Sequence, residues 1–123
     1  MTMTMTNYEA EQHLKDLLAF GKRDIPVSTV TGFRILQNVH ALDDALKPFR
    51  ETSDKVIRKH AHGGDMISKE EQPDEFAACD KELGELYKIP IEVEIQTISS
   101  KELGDCQIPL NTLFSIDFML KKE

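Results

Sequence analysis

The sequence predicts an α+β protein, mostly helical, with a long kinked helix in a helical hairpin or bundle and a small two-stranded sheet (residues 1–6 and 90–98). Three observations carry this. Apolar residues recur at three- and four-residue intervals through most of positions 7–87. The stretch IPIEVEIQTI (89–98) alternates apolar and polar residues with the period of a half-buried strand. The opening MTMTMT alternates in the same way and is the best partner such a strand has within the chain.

At 123 residues the chain reads as one domain spanning 1–123. A chain of that size buries roughly two-thirds of its unfolded surface on folding, and 40% hydrophobic residues suffice for a core without disulfides. Cys79 and Cys106 lie in no C-x-x-C frame, so neither a zinc ribbon nor a disulfide scaffold is indicated. No apolar run approaches the roughly 20 residues needed to cross a bilayer, and MTMTMTNYEAE lacks the basic and apolar regions of a signal peptide. The expected location is a reducing cytoplasm.

Taken in order, Thr2, Thr4 and Thr6 alternate with Met1, Met3 and Met5 as a strand or as a disordered start. Thr6-x-x-Glu9 has the form of a capping box, and Ala10, Leu14, Leu17 and Leu18 follow at helical spacing. Gly21 offers a left-handed stop, so the first helix is expected over about 7–20. Ile25-Pro26-Val27 is an extended connector, because a residue before proline avoids the α region.

Ser28 can cap the next helix, whose apolar positions include Val30, Phe33, Leu36, Val39, Leu42, Leu46, Phe49 and Val56. From Leu42 the seam runs 42, 46, 49, 53, 56, 60, with Ser53 its weak member, and resembles a short coiled-coil stripe. Pro48 lies inside it and predicts either a kink or two helices meeting end to end. A continuous helix over 28–62 would be about 50 Å long at ~1.5 Å per residue, against a radius of gyration near 14 Å for a compact domain of this size. Its greasy edge needs cover, from the chain's own shorter helices or from a second copy. Leu42, Leu46, Phe49 and Val56 are therefore the candidate interaction residues, with a protein partner or a homo-oligomer as the expected contact.

RKHAHGGD (58–65) is the stretch that looks most like chemistry. Lys55, Arg58, Lys59, His60 and His62 crowd a helix end, where cations meet the negative pole of the macrodipole, and Gly63 is the expected left-handed terminator. His60 and His62 are two apart and point about 200° from each other on a helix, whereas a helical metal pair needs a spacing of three or four. Only an unwound end would bring His60, His62 and Asp65 to one ion.

GGDMISKEEQPD (63–74) reads as a flexible surface loop. Pro73 or Asp74 opens a helix with Phe76, Cys79, Leu83, Leu86 and Tyr87 on its stripe, and Cys79 is most simply a core thiol among acidic neighbours. In the strand, Ile91, Val93, Ile95 and Thr97 face one way and Glu92, Glu94 and Gln96 the other. The Glu92/Glu94 pair resembles twin carboxylates but sits on a solvent face with no histidine near in sequence. A turn over 99–105 leads to Pro109, which suits a helix start. The residues that follow are apolar nearly all round, predicting a helix buried on most sides or at a subunit interface.

The net charge of −7 is uneven: residues 1–62 carry +1, from nine Lys/Arg and eight Asp/Glu, and residues 63–123 carry −8, from six and fourteen. An acidic surface of that kind is no general nucleic-acid binder, which needs cations to replace phosphate counterions. P-loop, dinucleotide-binding, zincin and nucleophile-elbow motifs are lacking from the sequence. The expectation is a non-enzyme with no cofactor, no metal, no direct contact with nucleic acid and none with a membrane.

Most of the chain resembles a family of uncharacterised small proteins of phages and prophages of Gram-positive bacteria. The likeness rests on IPVSTVTGFRILQNVHALDDALKPF (25–49), EFAACDKELGELYKIPIEVEIQTISSKELGD (75–105) and LFSIDFML (113–120). There a proline-bearing hydrophobic segment leads into a long charged helix, a Glu/Leu-rich helix runs into an acidic alternating strand, and an apolar helix closes the chain. Pro48 and the HAHGG turn depart from that pattern. The resemblance implies a phage-encoded protein, located in the cytoplasm of a bacterial host cell or in the virion, and transfers no catalytic residue. The expected role is protein–protein contact, in particle assembly or in modulating a host factor. One alternative is an acidic nucleic-acid mimic that inhibits a host defence nuclease, and another is a small metal-dependent enzyme using His60, His62 and Asp65.

Overall fold

The computed structural model describes residues 1–62, 67–103 and 108–121. Their elements run β1 (Thr2–Thr6), α1 (Asn7–Lys22), α2 (Thr29–Ala45), α3 (Lys47–His60), α4 (Pro73–Tyr87), β2 (Pro90–Glu94), α5 (Ser100–Leu103) and α6 (Leu110–Ile116), followed by a 3₁₀ turn over Asp117–Met119. The protein is α+β and mostly helical, as the sequence predicts.

The two alternating segments pair antiparallel, with Met3 opposite Val93 and Met5 opposite Ile91. Period-2 patterning puts these four side chains on one face, where Met5 and Val93 are buried, while Thr2 and Thr4 stand opposite Glu94 and Glu92 on the other. The strand ends at Glu94, four residues earlier than expected. Beyond it Ile95 N–H still donates to the Met1 carbonyl at 2.9 Å, and Ile98 forms a parallel bridge to Leu120.

The capping box forms as read: Thr6 Oγ1 accepts from Glu9 N–H at 3.1 Å and Glu9 Oε1 accepts from Thr6 N–H at 3.0 Å. The Thr6 backbone N–H, and after it the Thr6 side chain, hold the Glu9 carboxyl below its usual range. The stop is different, because α1 continues through Gly21 to Lys22 and the left-handed residue is Asp24 (φ 50°). Aspartate is among the few side chains that tolerate this conformation. Ser28 caps α2 by accepting from Thr31 N–H at 3.1 Å.

The long segment is two helices joined at Leu46, whose N–H still reaches the Leu42 carbonyl at 3.0 Å. Pro48 falls in the first turn of α3, where a missing N–H costs nothing. α3 then packs against α4 as a hairpin, with Phe49 against Tyr87 at one end (ring centroids 5.0 Å apart) and His60 beside Glu75 and Glu82 at the other. The buried apolar residues form one cluster from Met5 to Met119, which takes in Phe49 and Leu86 but not Val56, Ile57, Phe76, Cys79 or Leu83. The far half of the hairpin thus stands off the main core. Of the loop expected over 63–74, residues 63–66 lie outside the described residues, and Pro73 and Asp74 already belong to α4.

The last helix is shorter and less buried than its composition predicts. Ile116 and Met119 are fully buried, whereas Leu110 and Phe114 are exposed, and the chain tightens into a 3₁₀ turn before Leu120 becomes extended to meet Ile98.

Candidate functional site

Three of the four expected interaction residues, Leu42, Leu46 and Phe49, need correction. Leu42 and Leu46 are fully buried and Phe49 nearly so, all within the chain's own core, and Val56 is half-buried. Leu42, Leu46 and Phe49 are covered by this molecule's other elements and are thereby unavailable to a partner. The physical reason lies one turn back along α2. Its buried face is Thr31, Ile35, Asn38 and Leu42, which continues the 4-3 spacing of the seam through two polar residues. The apolar side chains Val30, Phe33 and Leu36 are thereby turned outward, 57%, 58% and 49% exposed.

Asn38 explains how polar residues hold that buried face. Its Oδ1 accepts from Gln96 N–H at 2.7 Å and its Nδ2 donates to the Gln96 carbonyl at 2.9 Å. The carboxamide therefore replaces a missing strand neighbour for the segment just after β2 and pins it to α2. Thr31 is tied to Ser28 in the cap. On the flank of α2, Arg34 bonds the Thr97 carbonyl at 3.2 Å and pairs with Glu102. The only formal charge in the stretch 29–37 is thus engaged within the chain, and Val30, Phe33 and Leu36 carry no charge between them. Leu110 and Phe114 of α6 add two further exposed apolar side chains.

The second place of interest is the end of α3. The helix stops at His60, and the left-handed residue is His62 (φ 52°), one position before the expected Gly63. Gly63, Gly64 and Asp65 lie outside the described residues. His60 is buried. Its Nδ1 lies 2.9 Å from Glu75 Oε2, and its Nε2 lies 3.4 Å from Glu82 Oε1 without hydrogen-bond alignment. Lys59 donates to the same Glu82 oxygen at 2.9 Å, and His62 Nε2 stands 3.9 Å from Glu75 Oε1. Lys59, ahead of His60, holds the Glu82 carboxyl below its usual range. Glu75, Cys79 and Glu82 recur at four- and three-residue spacing and so share one face of α4. That spacing is readable in the sequence, but nothing there says that His60 would meet it.

This cluster has the residue types of a nucleophilic site without the arrangement of one. Burial first, and then the charges of Glu82 and Asp80, push the Cys79 thiol up, which keeps it protonated and unreactive. The His60 nitrogens face carboxylates. Among the described residues no group of three or more His, Cys, Asp or Glu is placed to hold a metal ion. The twin carboxylates also part company: Glu94 is held below its usual range by the Met1 ammonium (2.8 Å) and by Thr2 (2.6 Å), while Glu92 stands exposed opposite Thr4.

A shallow cleft of about 630 Å³ runs between α1 and α4, with Tyr8 edge-on to Tyr87 and with Lys15, Lys88 and Glu11 at its margin. Its lining contains neither Ser, Cys nor His. Among the described residues no helix is long and apolar enough to cross a membrane. No family model matches the chain, and no curated protein or solved structure does so either.

Proposed function

We propose that the protein is a non-enzymatic, phage-type interaction protein that works through the outward face of α2, in particle assembly or in modulating a host factor. The observation that supports this is the row Val30, Phe33 and Leu36: three large apolar side chains at successive i, i+3 positions, each about half exposed or more. Single exposed apolar residues are ordinary on any surface, but a contiguous uncharged row favours a docking role. The expected contact is a protein partner or a second copy of the chain. The face differs from the Leu42–Phe49 seam but lies on the same helical segment.

The experiment uses Phe33→Asp with Leu36→Asp, both solvent-facing, so that the fold survives. Light scattering over a concentration series and binding to candidate phage and host proteins are compared with the parent. The proposal expects the double variant to melt like the parent and to lose association. Association that persists undiminished in the variant removes the basis for this face.

The acidic-mimic alternative draws on the −8 charge of residues 63–123. It is weakened because four of those carboxylates already hold partners inside the chain: Glu75 with His60, Glu82 with Lys59, Glu94 with the Met1 ammonium and Glu102 with Arg34. An enzyme built on His60, His62 and Asp65 has less support still, since both His60 nitrogens point toward carboxylates.

A further inference from the structure

The far half of the α3–α4 hairpin lies outside the main apolar cluster, so something else must hold its end. The buried polar atoms are informative here. Among the described residues only three such side-chain atoms lack a hydrogen-bond partner, and two of them, Ser53 Oγ and His60 Nε2, belong to α3. A buried polar atom without a partner is costly, and each instance calls for an account.

For His60 the account lies in the proton count of its ring. A neutral imidazole carries one N–H and one lone pair. If the N–H is on Nδ1 it donates to Glu75, and the Nε2 lone pair is left facing a Glu82 oxygen 3.4 Å away, acceptor against acceptor. If the N–H is on Nε2, the Nδ1 lone pair confronts Glu75 Oε2 at 2.9 Å, which is worse. Only the ring with both nitrogens protonated meets each carboxylate with a proton, as a hydrogen bond at Glu75 and as an unaligned charge contact at Glu82. We infer that His60 is a proton-operated clasp: doubly protonated, it ties Glu75 and Glu82 of α4 to the end of α3, and loss of one proton to solvent loosens that end of the hairpin.

The described groups around the ring agree with this. Glu75 and Glu82 come from α4, together with Cys79, whose thiol stays neutral. Lys59 of α3 is spent on Glu82, and His62 stands toward the outer oxygen of Glu75. Two carboxylates against one exposed ammonium leave room for a further cation, and His60 is the buried group placed to supply it. A loosened end would part α3 from α4 without disturbing the sheet or α1, which belong to the main cluster.

The test is amide hydrogen exchange on the full chain, corrected for intrinsic rates, between about pH 5.5 and about pH 8, the span over which an imidazole ordinarily changes charge. The clasp predicts that protection over 53–60 and 73–83 falls roughly tenfold, relative to α1 and α2, as the ring loses a proton. His60→Gln, which is never charged, should remove that difference at every pH. Ring ¹⁵N shifts of the parent give a readout that needs no variant: both nitrogens must be protonated wherever the hairpin is protected. A ring with one proton in the protected state, or an unchanged pH response in His60→Gln, overturns the inference.

Discussion

Asn38→Ala is the substitution on which hydropathy and the structure disagree most. A polar residue in the middle of an amphipathic helix is expected to face water and to be replaceable. In the fold Asn38 is fully buried and bonds both backbone groups of Gln96. Truncation removes two hydrogen bonds, each worth about 1 kcal/mol net, and strands an N–H and a carbonyl at about 1 kcal/mol or more apiece unless water enters. The sum is about 4 kcal/mol, which lowers the melting temperature of a domain this size by about 15 °C. Thermal and urea melts measure the loss, and exchange of the Gln96 amide should rise more than that of amides in β1. Phe33→Ala is the control: it removes a much larger apolar side chain, yet at an exposed site it should change stability by no more than about 0.5 kcal/mol. If Asn38→Ala costs less than about 1 kcal/mol while Phe33→Ala costs more, the face assigned to α2 is wrong.

Leu46→Ala, at the fully buried junction of α2 and α3, should cost about 2–5 kcal/mol in the same melts, with the spread set by how far the junction can collapse. Thr6→Ala removes the first half of the capping box and should cost about 1 kcal/mol. His13 stacks on Phe118 (centroids 3.9 Å apart) and is half-buried, and burial lowers its pKa against the smaller opposing pull of Asp16 and Glu9. The unfolded chain therefore takes up that proton at higher pH than the folded one, so stability should fall as pH drops below about 6.5 and level off once folded His13 is also charged. His13→Gln should flatten that slope. In a Cys106→Ser background, Cys79 should react with a thiol reagent at least about tenfold more slowly than a small free thiol at the same pH, and denaturant should restore the rate.

How much of this was legible follows from how local each cause is. The β1–β2 pair, the Thr6/Glu9 box and the Ser28 cap depend on residues a few positions apart, or on two matching alternations, and a pattern of residue types suffices to see them. The end of α1 and the end of α3 were each misplaced by a rule that favours glycine. Asp24 and His62 take the left-handed conformation, and Gly21 is passed over. The face of α2 was misread for a deeper reason. Its buried stripe contains Thr31 and Asn38, whose burial is possible only because the Ser28 cap and the Gln96 backbone supply their hydrogen bonds. Those are tertiary facts with no trace in periodicity. The meeting of His60 with Glu75 and Glu82 is of the same kind.

The misreading of α2 bears on function. A helix that merely needed to pack would bury Val30, Phe33 and Leu36 and expose Thr31 and Asn38, because apolar burial contributes about 1.5–3 kcal/mol per large side chain. Here the polar residues are inside, with partners that make their burial tolerable, and the apolar ones are outside. The inward residues are thereby explained by the fold itself, through the strand extension that Asn38 secures. Nothing within the described residues explains the outward ones. Exposed apolar side chains in a row bring a risk of aggregation to a chain already at −7, whose charge otherwise keeps copies apart. An uncharged strip that retains them, with its one nearby cation, Arg34, turned aside to Glu102, is the feature on which the proposed docking role of α2 rests.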